Sequence, residues 1–346
     1  MIDGETAPGF PLARTCPFRP PEERAELRER RDPRFPMPIV GMDATERTRA
    51  RAAIVAEFTA RLAEPLRPRI QEIVDRHIDH MLAGPKPANL VRGLALLVPM
   101  LIICEILGVP YDDRDFFENR FRRFVSDRLP TRERERAAFE LNTYFDELIA
   151  FKEKAPGADL LGHQIALGED SPYDHAGLVD LAFLLLFAGF DTTSGMISLG
   201  ALALIERPEL RERIAADPGV TCAVVEELLC DVRVADNVVT RFAEWDLEIG
   251  GETIRAGEDF FALVGAANHD PEIFSRPDAL SVDRGTRHHL GLGDGRRQHL
   301  ARVELEVTYE TLVRRIPSLR LACPVEELPL TNDTMNFGLD ALPVTW

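Results

Sequence analysis

The clearest candidate for chemistry is a polar break in an apolar stretch. Residues 178–205 read LVDLAFLLLFAGFDTTSGMISLGALALI, with Asp191 and Thr192 near the middle. Burial in an apolar helix raises the pKa of a carboxyl group toward neutrality, where it can work as a general acid or base. Asp191 and Thr192 are therefore candidate catalytic residues that could pass a proton. A structural alternative stays open, in which the Thr192 hydroxyl donates to a carbonyl one turn earlier.

Metal-binding residues give weaker signals. The five cysteines lie far apart and form no CxxC pair; they are Cys16, Cys104, Cys222, Cys230 and Cys323. This spacing argues against a thiolate zinc site and a disulfide framework, and it favours a reducing cytoplasm. His77 and His80 lie three residues apart without a nearby third ligand. We therefore expect no metal site there.

Composition and charge exclude several classes of function. The 346 residues are 45% apolar, which is enough for a large core, and 41 basic against 58 acidic side chains give a net charge of −17. That charge argues against a nucleic-acid partner. The N-terminal residues have no basic start followed by an apolar run, so no signal peptide is expected.

The apolar stretch is too interrupted to predict a membrane span. Its longest uncharged run, residues 192–205, has 14 residues, whereas a span needs roughly 20. We expect instead a long helix, buried on nearly all sides, in the centre of a soluble protein that does not bind membranes.

Periodicity predicts a mainly α chain with a small β-sheet, folded as a single domain over residues 1–346. The predicted helices are Glu22–Arg31, Thr45–Phe58, Ala63–Leu82, Leu90–Leu107, Asp113–Ser126, Arg132–Lys154, 176–205, 208–215, 219–232 and His299–Ile316. Strands are expected only within residues 238–264, at Val238–Arg241, Asp246–Ile249, Thr253–Ile254 and Asp259–Val264. Residues 266–295 are predicted as loop.

Several segments resemble one family. AGFDTT at 188–193 resembles the oxygen-activation motif of the cytochromes P-450, the haem-thiolate monooxygenases. Other segments follow that family's order: VVEELL (224–229), VTR (239–241), DLEIGGETIRAGE (246–258), AANHDPEIF (266–274) and RHHLGLGDG (287–295). The chain is similar to soluble actinobacterial members over nearly its whole length. The resemblance implies a cytochrome P-450 fold, truncated at its sheet and proximal loop, and descent from iron- and haem-dependent monooxygenases.

The family's haem-ligand cysteine has no counterpart in this chain. In the family, a Phe-Gly segment leads to the cysteine whose thiolate binds iron, and then into the last helix. Here LGDGRRQ (292–298) runs directly into His299, so about four residues are absent. Since no neighbour replaces an anionic thiolate, we predict that no thiolate-ligated haem forms and that the protein holds no cofactor. Haem without cysteine ligation stays possible if His288, His289 or His299 acts as an imidazole ligand.

Two further departures concern one network. The family's Glu-x-x-Arg reads Glu227-Leu228-Leu229-Cys230 here, and the loop arginine that normally joins the pair is Ala279. The resemblance therefore implies that Glu227 lacks both guanidinium partners. A buried unpaired carboxylate is costly and would be protonated or solvated. Cys230 is predicted to be an inert small apolar residue.

Other family features are altered or retained. LRERRDPRF (27–35) joins the first helix to a segment that normally lies some tens of residues later, so the first sheet would lose a hairpin and expose an edge. Arg51, Arg241 and His289 match positions that contact the haem propionates in the family. These positions indicate descent, and they bind a cofactor only if haem binds.

These departures imply a binding role more than an oxygenase. The first hypothesis is a haem-free helper subunit in a natural-product pathway, with a protein partner such as a glycosyltransferase. The alternative is a cofactor-independent cyclase or isomerase that uses Asp191 on a small apolar substrate in the old pocket. A third hypothesis is an inactive, decayed copy of a haem monooxygenase, which keeps that family's name only by descent.

Overall fold

A computed structural model describes residues 60–126, 129–232, 234, 240–243, 245–283, 289–292, 299–331 and 337–346. The helices predicted at Glu22–Arg31 and Thr45–Phe58 lie outside these residues, as do Cys16 and Arg51.

Helices dominate the described residues. They are α1 (Ala60–Ala83), α2 (Leu97–Leu107), α3 (Arg114–Val125), α4 (Thr131–Lys152), α5 (Leu160–Ala166), α6 (His175–Glu206), α7 (Pro208–Ala216), α8 (Thr221–Asp231), α9 (Val264–Asn268) and α10 (His299–Arg315). Every helix predicted beyond residue 60 is present, although the predicted Leu90–Leu107 is divided into a π-helical turn, Val91–Ala95, and α2. The short helices α5 and α9 were not predicted, because fewer than two turns give no clear period.

The central helix α6 extends over 32 residues. It begins where the Asp174 carboxylate accepts the Gly177 amide at 2.8 Å, which satisfies one free donor of the first turn. It ends before Pro208, since a proline disfavours helical backbone at the residue before it. Among the described helices, α6 alone is long and apolar enough to cross a membrane, yet half of its apolar window is buried within the protein. The predicted burial on nearly all sides is therefore reached over only part of α6.

The chain divides into two compact units, each built from separate stretches. The first contains described residues of 106–185 and 240–262. In it, α3 packs on α4 through aromatic side chains, with the Phe117 ring centred 4.8 Å from that of Tyr144 and 5.4 Å from that of Phe145. The prediction of a single domain over residues 1–346 stays a prediction.

The second unit contains described residues of 60–105, 186–234 and 263–346, and α10 packs there against α1 and α8. Tyr309 of α10 is fully buried, and its hydroxyl donates to the Met196 carbonyl of α6 at 2.6 Å. A Cβ at Gly200 would lie 2.0 Å from the same hydroxyl oxygen. A glycine is therefore what lets α6 and α10 approach this closely.

Strands form four small antiparallel sheets among the described residues. Their members are β1 (Ala88–Asn89), β2 (Thr240–Phe242), β3 (Leu247–Ile249), β4 (Glu252–Ile254), β5 (Asp259–Phe261), β6 (Arg320–Leu321), β7 (Leu330–Thr331), β8 (Gly338–Leu339) and β9 (Pro343–Thr345). One sheet has the order β1-β9-β6, and the others pair β2 with β5, β3 with β4, and β7 with β8. The mainly α prediction with little sheet is confirmed.

The prediction that strands occur only within residues 238–264 is wrong. β1 lies before that segment and β6 to β9 lie after it. Each of these strands has two or three residues, and an alternating pattern needs about four residues to be recognised. Their pairing comes from tertiary contacts, such as Ala88 opposite Val344.

Candidate functional site

Asp191 and Thr192 lie on an accessible stripe of α6. The partly or fully exposed residues Phe187, Ala188, Asp191, Thr192 and Gly195 recur at helical spacing. Phe190, Thr193 and Ser194 point the other way and are buried. The two candidate side chains therefore share a face that a small molecule can reach.

The Thr192 hydroxyl donates to the Ala188 carbonyl, one turn earlier on the same helix, at 2.8 Å. This is the structural alternative raised from the sequence. It leaves the lone pairs of the hydroxyl oxygen available as acceptors, so a catalytic role for Asp191 and Thr192 stays a prediction.

A largely buried ionic cluster lies where α8, α10 and residues 289–292 meet. The Glu226 carboxylate of α8 accepts from the Arg302 Nε at 2.6 Å and from the His289 Nε2 at 3.1 Å. Burial raises the pKa of Glu226, but the hydrogen bonds and charges of His289 and Arg302 outweigh it and lower the pKa to about 2. Glu226 is thus an anion held by two donors.

Residues 289–292 are fastened to α8 and α9 by further contacts. The His289 Nδ1 accepts the Gly291 amide at 3.1 Å, which places the ring proton on Nε2. The Leu290 amide donates to the Asn268 side chain at 2.8 Å, and Asn268 in turn donates to the Cys230 carbonyl at 3.1 Å. A Cβ at Gly291 would lie 2.0 Å from the Leu229 carbonyl oxygen. The backbone here approaches α8 as closely as a glycine permits.

The expectation that Glu227, without its two guanidinium partners, is an unpaired carboxylate is wrong. Its carboxylate is buried and accepts the Ser281 amide at 2.9 Å. A backbone donor can hydrogen-bond a carboxylate without any guanidinium, so the loss of two arginines does not leave the group unsatisfied. Cys230 is buried, and its thiol lies 3.7 Å from the Asn268 carbonyl oxygen, a weak contact that agrees with a small apolar role.

The structure describes the side chains of only some of the remaining predicted site residues. Arg241 lies in β2, where its backbone pairs with Phe260, and its side chain lies outside the described part, as does Arg51. His77 and His80 have ring centres 6.3 Å apart. Within the described ranges, no three His, Cys, Asp or Glu side chains gather as metal ligands. His289 is the one proposed propionate residue whose side chain is described, and it faces Glu226.

Sequence reasoning missed three acidic residues. Glu226 and its partner Arg302 belong to no motif that the sequence shows, whereas the adjacent Glu227 occupies the glutamate position of Glu-x-x-Arg. Glu304 of α10 is fully buried with one carboxylate oxygen unbonded, and burial raises its pKa to about 8. Asp180 of α6 is partly buried, and burial together with Asp174 raises its pKa to about 6. The position of Glu304 within the apolar stripe of residues 300, 303 and 307 was the available clue.

A thiolate-ligated haem would need a cysteine side chain between α8 and α10. The sequence has no cysteine between Cys230 and Cys323, a range that includes residues 289–292 and all of α10. The His289 nitrogens are both engaged by protein groups. The described residues between α8 and α10 therefore contain no cysteine, and both ring nitrogens of His289 are already hydrogen-bonded.

Comparison with known proteins defines the class. A long apolar α6 that packs against α10, in a mainly helical chain with small antiparallel sheets, is typical of the cytochromes P-450, and this chain belongs to that family. It is 37% identical to the cytochrome P-450 named 105A3 from Streptomyces carbophilus, over 100% of this chain and 98% of the relative. GfsF from Streptomyces halstedii is 44% identical over 89% of this chain and 76% of its own length. No family model matches the sequence.

Solved structures agree with this assignment. The crystal structure of MoxA from Nonomuraea recticatena has a TM-score of 0.82 with 49% identity, over 89% of this chain and 78% of MoxA. The match to the cytochrome P-450 of Streptomyces carbophilus extends over 404 residues, against the 346 of this chain. The fold is therefore a truncated cytochrome P-450 fold, as predicted.

Proposed function

We propose that this protein is a cytochrome P-450 relative that does not form a thiolate-ligated haem and works by binding. The observation that carries the proposal is the direct entry of LGDGRRQ into α10 at His299, in a chain with no cysteine from 231 to 322. An anionic sulfur ligand is what drives O–O cleavage in this class of haem protein. Without it, the relatives' oxygenase chemistry has no counterpart here.

The contacts of two α8 glutamates support the proposal in a second way. Glu226 accepts from His289 and Arg302, and Glu227 accepts from Ser281. These two carboxylates therefore have hydrogen-bond donors from the protein itself and need no cofactor to supply them.

A reduced carbon monoxide difference spectrum tests the proposal directly. We expect no thiolate-type band from protein purified after expression with added haem precursor. A matched control inserts four residues that include a cysteine after Gln298, and it should gain haem if only the ligand is lacking. A thiolate-type band from the unaltered protein would overturn the proposal. A histidine-type band would replace it with the imidazole-ligated alternative.

The binding role is proposed as that of a helper subunit in a natural-product pathway, with a glycosyltransferase as partner. Relatives of this chain include a pentalenic acid synthase from Streptomyces avermitilis. In the first unit, β2 and β5 form a sheet of two strands, so each has an edge without a strand partner among the described residues. In the second unit, Leu263 and Leu290 are exposed. Unpaired edges and exposed apolar side chains are features of docking surfaces.

One surface substitution tests the helper role. Leu263→Glu should abolish the complex with a glycosyltransferase of the same gene cluster, measured by analytical ultracentrifugation, because a charge would be buried on docking. Leu330→Glu, which alters an equally exposed leucine on β7, is the matched control and should leave the complex intact. If the two proteins do not associate, or if both variants associate normally, the helper role through this surface fails.

A cofactor-independent enzyme is the second candidate, and the accessible stripe of α6 favours it. Asp191 can reach a bound molecule there, with Thr192 one residue further on. We propose in that case that Asp191 is the acid or base of an isomerisation or cyclisation. Asp191→Asn should abolish product when the gene is returned to a deletion strain, while Leu263→Glu should not.

Asp180, on the same helix as Asp191, is an alternative candidate for the acid or base. Its pKa of about 6 also suits acid–base chemistry. Loss of product with Asp180→Asn alone would move the role away from Asp191. If neither aspartate nor Leu263 matters in a folded protein, a decayed copy becomes the better account.

A further inference from the structure

His289 has no nitrogen left for a ligand. Its side chain is about 2% exposed, its Nε2 donates to Glu226, and its Nδ1 accepts the Gly291 amide. A propionate contact needs an outward-facing N–H, and an iron bond needs a free lone pair. In this structure both requirements conflict with contacts that the ring already makes.

We infer that His289 is a positioning residue. Together with Glu226 and Arg302 it forms what we term the clasp, which fastens residues 289–292 to α8 and α10. The inference goes beyond the proposed function, since it assigns a role within the protein to a histidine that the family resemblance assigns to haem. It holds whether or not the helper role is correct.

Opposite charges meet in the clasp. Arg302 supplies one positive charge through Nε at 2.6 Å, and Glu226 supplies one negative charge. His289 donates to the second carboxylate oxygen, which also lies 3.3 Å from an Arg302 nitrogen. Nearby, Glu227 accepts the Ser281 amide, and His269 lies 3.8 Å from Asp231. Removing one partner of a buried ion pair leaves an uncompensated charge, which is costly.

Packing of the neighbouring residues fixes the direction of the ring. Gly291 touches the Leu229 carbonyl too closely for any side chain, and the Leu290 amide is held by Asn268. These contacts hold the backbone that follows His289 within a narrow range. Turning His289 outward would break both of its hydrogen bonds and leave the Glu226 oxygen short of a donor, which is costly when buried.

Two substitutions at position 289 test the roles of the two ring nitrogens, Nδ1 and Nε2, one at a time. Asn at position 289 places an acceptor where Nδ1 lies, and Gln places a donor where Nε2 lies. We expect His289→Asn to keep slow hydrogen exchange at the Gly291 amide, and His289→Gln to speed it by roughly tenfold or more, as the loss of one hydrogen bond predicts. His289→Gln should keep the link to Glu226 and exceed His289→Asn in stability. His80→Gln, at an exposed histidine, is the matched control and should change neither quantity.

Equal exchange rates at Gly291 in all variants would overturn the inference. So would the opposite order of the Asn and Gln effects. Hemin titration adds an independent readout, since the unaltered protein and His289→Gln should give the same Soret spectrum. A hemin spectrum that is lost in His289→Gln and kept in His80→Gln would show that the histidine serves the cofactor. A thiolate-type carbon monoxide band would contradict the proposed function while leaving the Gly291 result unaffected.

Discussion

Two buried glutamates of the second unit, one facing α10 from α8 and one on α10, differ in the hydrogen-bond donors that reach their carboxylates. On α8, the buried Glu226 accepts from both Arg302 and His289, and its pKa is about 2. Two residues after Arg302 on α10, Glu304 is buried with an unbonded carboxylate oxygen, and burial raises its pKa to about 8. Of these two buried glutamates, Glu226 is thus ionised near pH 7 and Glu304 is largely protonated. The difference shows that donors, more than burial, decide which carboxyl group is ionised here.

Removing the unpaired acid should have the largest effect. The folded-state pKa of Glu304, about 8, exceeds its ordinary value of 4.5. Its protonated form is therefore favoured by folding, and stability should fall by roughly 1.4 kcal/mol per pH unit between about pH 5 and 8. Glu304→Gln should remove this slope and stabilise the protein by several kcal/mol at pH 8, measured by urea unfolding at pH 5, 6.5 and 8.

The control for Glu304 lies on the same helix. Glu306 is paired with Arg67 at 2.7 Å, so Glu306→Gln should give no gain at pH 8. An unchanged pH slope in Glu304→Gln would contradict the charge state assigned to Glu304, and with it the contrast between the two glutamates.

Overpacking the contact between α6 and α10 should have the next largest effect. Gly200→Ala places a methyl group 2.0 Å from the Tyr309 hydroxyl oxygen, which is fully buried. We expect a loss of roughly 2–3 kcal/mol, because a packed core adjusts little to added volume. Thermal unfolding measures it.

The double variant Gly200→Ala with Tyr309→Phe tests the cause of that loss. Removing the hydroxyl removes the nearest atom, so the double variant should recover part of the stability. If Tyr309→Phe makes no difference in the Gly200→Ala background, the close approach of α6 and α10 is not what limits position 200.

Removing Arg302, the partner of Glu226, should have a smaller effect on stability. The contribution of Glu226 to stability should also depend on pH in the opposite direction to that of Glu304. The folded-state pKa of Glu226 lies below its ordinary value, so its contribution to stability is present above about pH 4.5 and is lost as the pH falls toward 2. Arg302→Gln should cost roughly 2 kcal/mol at pH 7, less than a fully buried pair, because Arg302 is partly exposed. Acid unfolding monitored by circular dichroism checks it, and a cost that is the same at pH 3 and pH 7 would contradict an ionic origin.

The sequence predicted much of the fold because helices leave a long periodic signal. α6 was expected at 176–205 and occupies His175–Glu206. The strands β6 to β9 were missed, since two or three residues carry no alternation. The site was predicted less well. The motif comparison identified Asp191, Thr192 and His289, but the pairing of His289 with Glu226 depends on three segments far apart in the chain, and no local pattern encodes such a contact. The same limitation led to the wrong expectation for Glu227.

The smallest expected effect concerns Thr192 and returns to the accessible face of α6. Its hydroxyl donates to the Ala188 carbonyl, which already accepts within the helix, and the side chain is partly exposed. Thr192→Val should therefore change the free energy of unfolding by about 0.5 kcal/mol or less. Thr193→Val alters the buried neighbour and serves as the control for packing. If Thr192→Val abolishes product in the deletion-strain assay while stability holds, Thr192 acts in chemistry beside Asp191. If product is unchanged and Leu263→Glu removes it, the hydroxyl is structural, and binding accounts for the role of the protein.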